Sequence, residues 1–70
     1  MKNVRVLKAL EDGPKTIEEI SEITAISPME VRRYLLRFVE QGKVESYQRE
    51  GKIFWKIRET SEEEEEFRYV

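Results

Sequence analysis

Cysteine and histidine are both absent from this 70-residue chain. Without cysteine, neither a disulfide nor a thiolate metal site can staple so small a fold. Without histidine, the commonest metal ligand and the usual general base are missing. No glycine-rich phosphate loop is spelled out, and so short a chain has little room to enclose a ligand-sized pocket. Neither an enzyme nor a cofactor is therefore expected. No apolar run approaches the roughly 20 residues of a membrane span, and no signal-peptide pattern opens the chain. The expected compartment is the cytoplasm. Asparagine is scarce too, while Lys and Glu abound, a composition that leans towards a thermophilic source.

What the chain has in quantity is charge. Charged residues make up 40% of it, yet the net charge is only −2. Met1–Arg58 hold 12 Lys+Arg against 9 Asp+Glu, whereas Glu59–Val70 hold 1 against 6. A mildly basic body thus carries an acidic tail, which the overall pI of about 5.2 conceals. The length permits one small domain, assigned to 1–58. The tail, 59–70, contains the run Glu62–Glu66 and is expected to be mobile or a short helix. An exposed run of this kind offers no burial to shift a pKa, so it is no catalytic site. It can solubilise the chain, fold back over a basic surface of the body as an internal competitor, or engage a basic partner.

The pattern along the body predicts three helices and a hairpin. Val4, Leu7 and Leu10, with Val6 alongside, give the first helix an inward face, with Asn3 as its N-cap and Gly13–Pro14 as its stop. Thr16 and Glu19 form a capping box for the second helix, whose buried stripe is Ile17, Ile20 and Ile23. Ser21, small and on the buried side, would let another helix approach. Thr24–Ala25–Ile26–Ser27 is the turn, with Ile26 tucked inward. Ser27 and Glu30 form a second capping box, with Pro28 at the first helical position. This third helix runs over about 28–41 and ends at Gly42. A count at about 100° per residue assigns Val31, Leu35, Phe38 and Val39 to its core face. Met29, Glu30, Arg33, Leu36, Arg37 and Glu40 fall on the opposite face.

From Val44 the period becomes alternating. Lys43–Arg49 and Lys52–Arg58 read as strands joined by a two-residue turn at Glu50–Gly51. Ile53, Trp55 and Ile57 share one face, opposed by Val44 and Ser46, and Trp55 is a core residue. Tyr47, Arg49, Phe54, Lys56 and Arg58 share the other face, where Tyr47 and Phe54 pair across the strands, cover the chain's apolar end or, given more basic surroundings, offer an aromatic stacking surface.

Gly13 to Ile20, Ile26 to Leu35 and Gly42 to Glu45 together resemble the winged helix-turn-helix transcriptional regulators of bacteria and archaea, a likeness extending from about Val4 to Arg58. It implies a mainly α fold with a small β-hairpin (α+β), a three-helix winged helix-turn-helix. It also implies double-stranded DNA as partner, with helix 28–41 in the major groove and wing 43–58 on the backbone. By position, the DNA-contacting residues are then Pro28, Met29, Glu30, Arg32, Arg33 and Arg37 on the helix, and Arg49, Lys52 and Lys56 on the wing. Ala25 stands where many members have a turn glycine, so a different backbone conformation is expected there. Lys43 replaces a common apolar residue, and Glu18 and Glu19 sit where phosphate contacts often lie. The long dimerising helix of many members is missing, so a monomer or weak dimer is expected. The competing reading is a protein-interaction module using Leu36, Met29, Tyr47, Phe54 or the acidic tail. For Arg33 and Arg37, the alternative to DNA contact is helix-surface pairing with Glu30 and Glu40.

Overall fold

The structure, a computed structural model, describes residues 1–59. Three helices, α1 (Lys2–Ala9), α2 (Ile17–Thr24) and α3 (Pro28–Glu40), precede an antiparallel hairpin of β1 (Val44–Arg49) and β2 (Lys52–Ile57). This is the three-helix winged helix-turn-helix architecture expected. The sequence expectations for residues 60–70, including the glutamate run, lie outside the described residues.

The core draws one or two residues from each turn of helix. Val6, Ala9 and Leu10 come from α1 and its C-terminal cap, Ile20 from α2, Val31, Leu35 and Phe38 from α3; Ile26, Val44 and Trp55 complete it. Three residues expected inside are instead exposed: Val4, Ile23 and Val39, at 51%, 59% and 40%. Each lies at the edge of its apolar stripe, and a helix contacting neighbours on one narrow face leaves the edge in water. On α1 the buried line passes through Val6 and Ala9, with Leu7 only partly covered. On α2, Thr24 replaces Ile23 inside; its hydroxyl donates to the Ile20 carbonyl at 2.7 Å, which makes its burial tolerable.

Helix ends follow the sequence with two corrections. The Thr16–Glu19 capping box forms in both directions, Thr16 N–H to the Glu19 carboxylate at 2.9 Å and Glu19 N–H to Thr16 Oγ1 at 3.2 Å. At α3 only half of the second box forms. Ser27 Oγ accepts from Glu30 N–H, but the Glu30 carboxylate turns away to Lys2 Nζ at 3.0 Å. Asn3 does not cap α1; Met1 occupies that position without a side-chain bond, and Asn3 Oδ1 accepts from the Val4 N–H. The end of α3 closes as a Schellman motif, with Lys43 N–H on the Phe38 carbonyl and Gly42 N–H on that of Val39. Gly42 supplies the φ of +73° that this closure needs.

Between α2 and α3, Ala25 takes the left-handed conformation itself, at φ 59° and ψ 26°. The expected change of backbone conformation does not occur; alanine accepts the strain. Hydroxyls hold the turn in place: Ser21 donates to the Ile26 carbonyl at 2.6 Å, and Thr24 Oγ1 accepts from Ile26 N–H. Arg5 of α1 adds a bond to the Thr24 carbonyl at 3.3 Å. Ser21 is therefore a brace for the turn as well as a small residue at a packed face.

The hairpin has the expected register, with Val44 opposite Ile57, Ser46 opposite Trp55 and Tyr47 opposite Phe54. Glu50 and Gly51 both adopt positive φ, 53° and 77°, the pattern of a type I′ turn. Each strand is one residue shorter at its base than expected, although Arg58 N–H still donates to the Lys43 carbonyl. Lys15, in the loop before α2, adds a single-residue third strand, exchanging both backbone bonds with Trp55 at 3.0 and 2.8 Å.

Candidate nucleic-acid interface

The core residues of α3 define its free side. With Val31, Leu35 and Phe38 buried, Met29, Arg32, Arg33, Leu36 and Arg37 are left exposed. The anchoring is strong: Val31 and Leu35 are fully buried, so the helix cannot roll to present another face. Pro28, also exposed, opens the helix at its first position.

This face borders a shallow groove between α3, the start of α2 and the inner side of the hairpin. Arg32 and Leu36 contribute from α3, Glu18 from α2, and Ser46, Lys52 and Ile53 from the hairpin. Arg32 and Lys52 thus meet along one groove although they are distant in sequence. Glu18 lies in the same groove and lowers its positive potential.

The charged residues among the expected contacts fall into three groups. Among the described residues, Arg32, Arg33 and Arg37 have no carboxylate within ion-pair distance, the ion pairs found there being Lys2–Glu30, Lys15–Asp12 and Lys56–Glu45. Glu30–Arg33 and Arg37–Glu40 pairing, the alternative use of these arginines, does not form. Arg49 and Lys52 are exposed and face each other at the hairpin end. Glu30 and Lys56 are engaged elsewhere: Glu30 holds Lys2, and Lys56 is half-buried at the hairpin base, 3.4 Å from Glu45 Oε1.

Tyr47 and Phe54 pair across the strands, ring centroids 5.6 Å apart and planes 18° from parallel. This is the cross-strand pair expected; cover of the chain's apolar end lies outside the described residues. Sequence reasoning missed Lys15, whose backbone docks the hairpin base against the helices. A lone bridging residue leaves no period to detect; only the Pro14 before it, which favours extended backbone nearby, hints at it.

The carboxylate of Glu19 is held below the usual range by the backbone N–H of Thr16, and that of Asp12 by the Lys15 ammonium. Both serve local structure at the start of α2. No group of three or more metal-ligating side chains occurs among the described residues, and no helix there is long and apolar enough to cross a membrane.

Comparisons with known proteins agree with this fold. The fold superposes on a predicted DNA-binding transcriptional regulator from E. coli with a TM-score of 0.73 and 23% identity, over 80% of this chain and 60% of that one. It superposes on diamide-treated YodB from B. subtilis with a TM-score of 0.75 and 23% identity, over 100% of this chain and 70% of that one. At such identity the likeness concerns the fold. No curated protein matches the chain. The sequence of residues 2–46 matches the bacterial regulatory protein, arsR family. That segment takes in all three helices and the turn that aims α3, and the chain belongs to the arsR family of bacterial regulatory proteins, with a winged helix-turn-helix fold.

Proposed function

We propose that this domain regulates transcription by laying α3 in the major groove of double-stranded DNA while the hairpin grips the adjacent backbone. The observation that carries the reading is the uncommitted guanidinium set on α3. Arg32, Arg33 and Arg37 are exposed on the face opposite the core and bound to no carboxylate among the described residues. Arginine in that state suits phosphate oxygens and guanine edges. Arg32 and Lys52, which share the groove, are assigned to phosphates, and Arg49 joins them from the hairpin tip. Arg33 and Arg37, the principal contacts of the helix, are assigned to phosphates as well. Lys56 and Glu30, already engaged, contribute little. Chemistry is not part of this role: the chain has no histidine or cysteine, and binding alone accounts for the site. The cytoplasm, where the DNA is, is the compartment that fits.

Affinity should be modest, because few cations face the duplex and each phosphate neutralised contributes one unit or so of counterion release. Fluorescence anisotropy on pooled duplexes across a salt series tests the assignment. Binding that weakens steeply with salt is expected. Replacing Arg33 and Arg37 together by alanine should flatten the slope of log K against log salt by about 2. Absence of binding at low salt would refute the proposal.

A further inference from the structure

Two large apolar side chains stand on the face of α3 that the core does not use. Met29 is 76% exposed and Leu36 45%, and neither belongs to the hydrophobic core or to the residues packed against it. A single exposed apolar residue on a surface calls for no explanation. These two, however, are aligned: a separation of seven residues returns to nearly the same helical direction, within about 20°. Arg32 lies to one side of their line and Arg33 to the other. The centre of the face is therefore apolar and its flanks are cationic.

Resting on the proposed DNA-binding function, we infer that α3 reads thymine by its C5-methyl groups through Met29 and Leu36, with the flanking arginines holding the phosphate walls. A helix in the major groove points its central line at the base edges and its flanks at the two strands. Thymine alone of the four bases presents a methyl group there. Met29 lies in the first turn, the part of a recognition helix that meets the bases, and its unbranched thioether adapts to a small apolar target. Leu36 follows at about 10 Å along the axis, a span of roughly two to three base steps. Glu40 shares the line but lies a further turn towards the C-terminus, where the helix leaves the groove. Glu30 is turned aside by Lys2. The cations beside this apolar line favour a polyanion over an apolar protein surface as its occupant.

The test begins with the full chain and the tightest duplex selected from a randomised pool. Its affinity is compared with that for the same duplex carrying deoxyuridine in place of thymine, which removes only the methyl group. Each thymine that is read should cost about fourfold on conversion, the worth of one buried methyl group. That ratio should not change with salt, unlike the loss in the Arg33→Ala/Arg37→Ala variant. Met29→Ala should erase the ratio at one thymine, and Leu36→Ala at a second, two to three steps away. Both substitutions are at the surface, and circular dichroism checks that the variants fold. Equal binding of the thymine and uracil duplexes overturns the inference while leaving DNA binding intact. So does a uracil effect that persists in the Met29→Ala/Leu36→Ala variant. A variant that binds DNA normally but loses self-association would assign the face to contact between copies, and overturns it too. Failure to bind any pooled duplex refutes the proposed function and this inference together.

Discussion

Individual residues of the helix-turn-helix carry more of the architecture than their size suggests. Ala25 holds a left-handed backbone that costs an L-residue roughly 1 kcal/mol or more, and the Ser21 and Thr24 hydroxyls keep it there. Ala25→Gly should therefore stabilise the domain by about 1 kcal/mol. In a chain of this size that raises the Tm by roughly 5 °C, readable by thermal circular dichroism. Glycine gives back part of the gain through its more flexible unfolded chain, so a smaller rise is the lower bound. Glu19 offers a second residue-level test. Its pKa is lowered in the folded state by the Thr16 N–H, so the cap contributes fully above the unfolded carboxylate range. The contribution is lost as pH falls through the folded value. Glu19→Gln keeps a hydrogen-bond acceptor without a titrating charge. Its melting temperature should depend less on pH than the wild type's through the acidic range.

At the scale of elements, the sequence was most legible where a pattern repeats and least where a neighbour decides. The starts of α2 and α3, the Gly42 stop, the two-residue hairpin turn and the alternation of β2 follow from residue types with fixed backbone consequences. The exposed face of α3 was equally legible, since Met29, Arg33, Leu36 and Arg37 are simply the positions that Val31, Leu35 and Phe38 do not use. Val4, Ile23 and Val39 were misplaced because periodicity gives a stripe but not its width, which depends on how closely the next helix packs. Glu30 was expected to close the cap of α3, yet Lys2 from α1 takes its carboxylate; no local rule contains that partner. Nor could the sequence say that Arg33 and Arg37 would be left without the carboxylates one turn away on their own helix. The fully buried Leu35 fixes which face α3 presents. Leu35→Ala should cost about 3 kcal/mol, measured by urea denaturation, and should weaken DNA binding chiefly by unfolding the domain. At concentrations where the variant is folded, its salt slope should match the wild type's.

The whole molecule is two regions of opposite charge. The basic portion through Arg58 is followed by a segment with 6 acidic residues and 1 basic one. A chain ending at Arg58 loses that opposing charge and should bind duplex DNA more tightly, most of all at low salt where charges act over longer distances. Anisotropy on the two chain lengths decides it; equal affinity would make the segment electrostatically idle. The paired backbone bonds between Lys15 and Trp55 have a different whole-molecule consequence. They join the entrance of α2 to the middle of β2, and Trp55 itself is a core residue. The stretch recognisable as arsR-like stops at residue 46, before β2 begins. What evolution marks as the family segment is thus shorter than what can stand alone. A peptide cut at Ser46 would keep every helix and the whole family signature, yet its amide protons should exchange as fast as those of an unstructured chain.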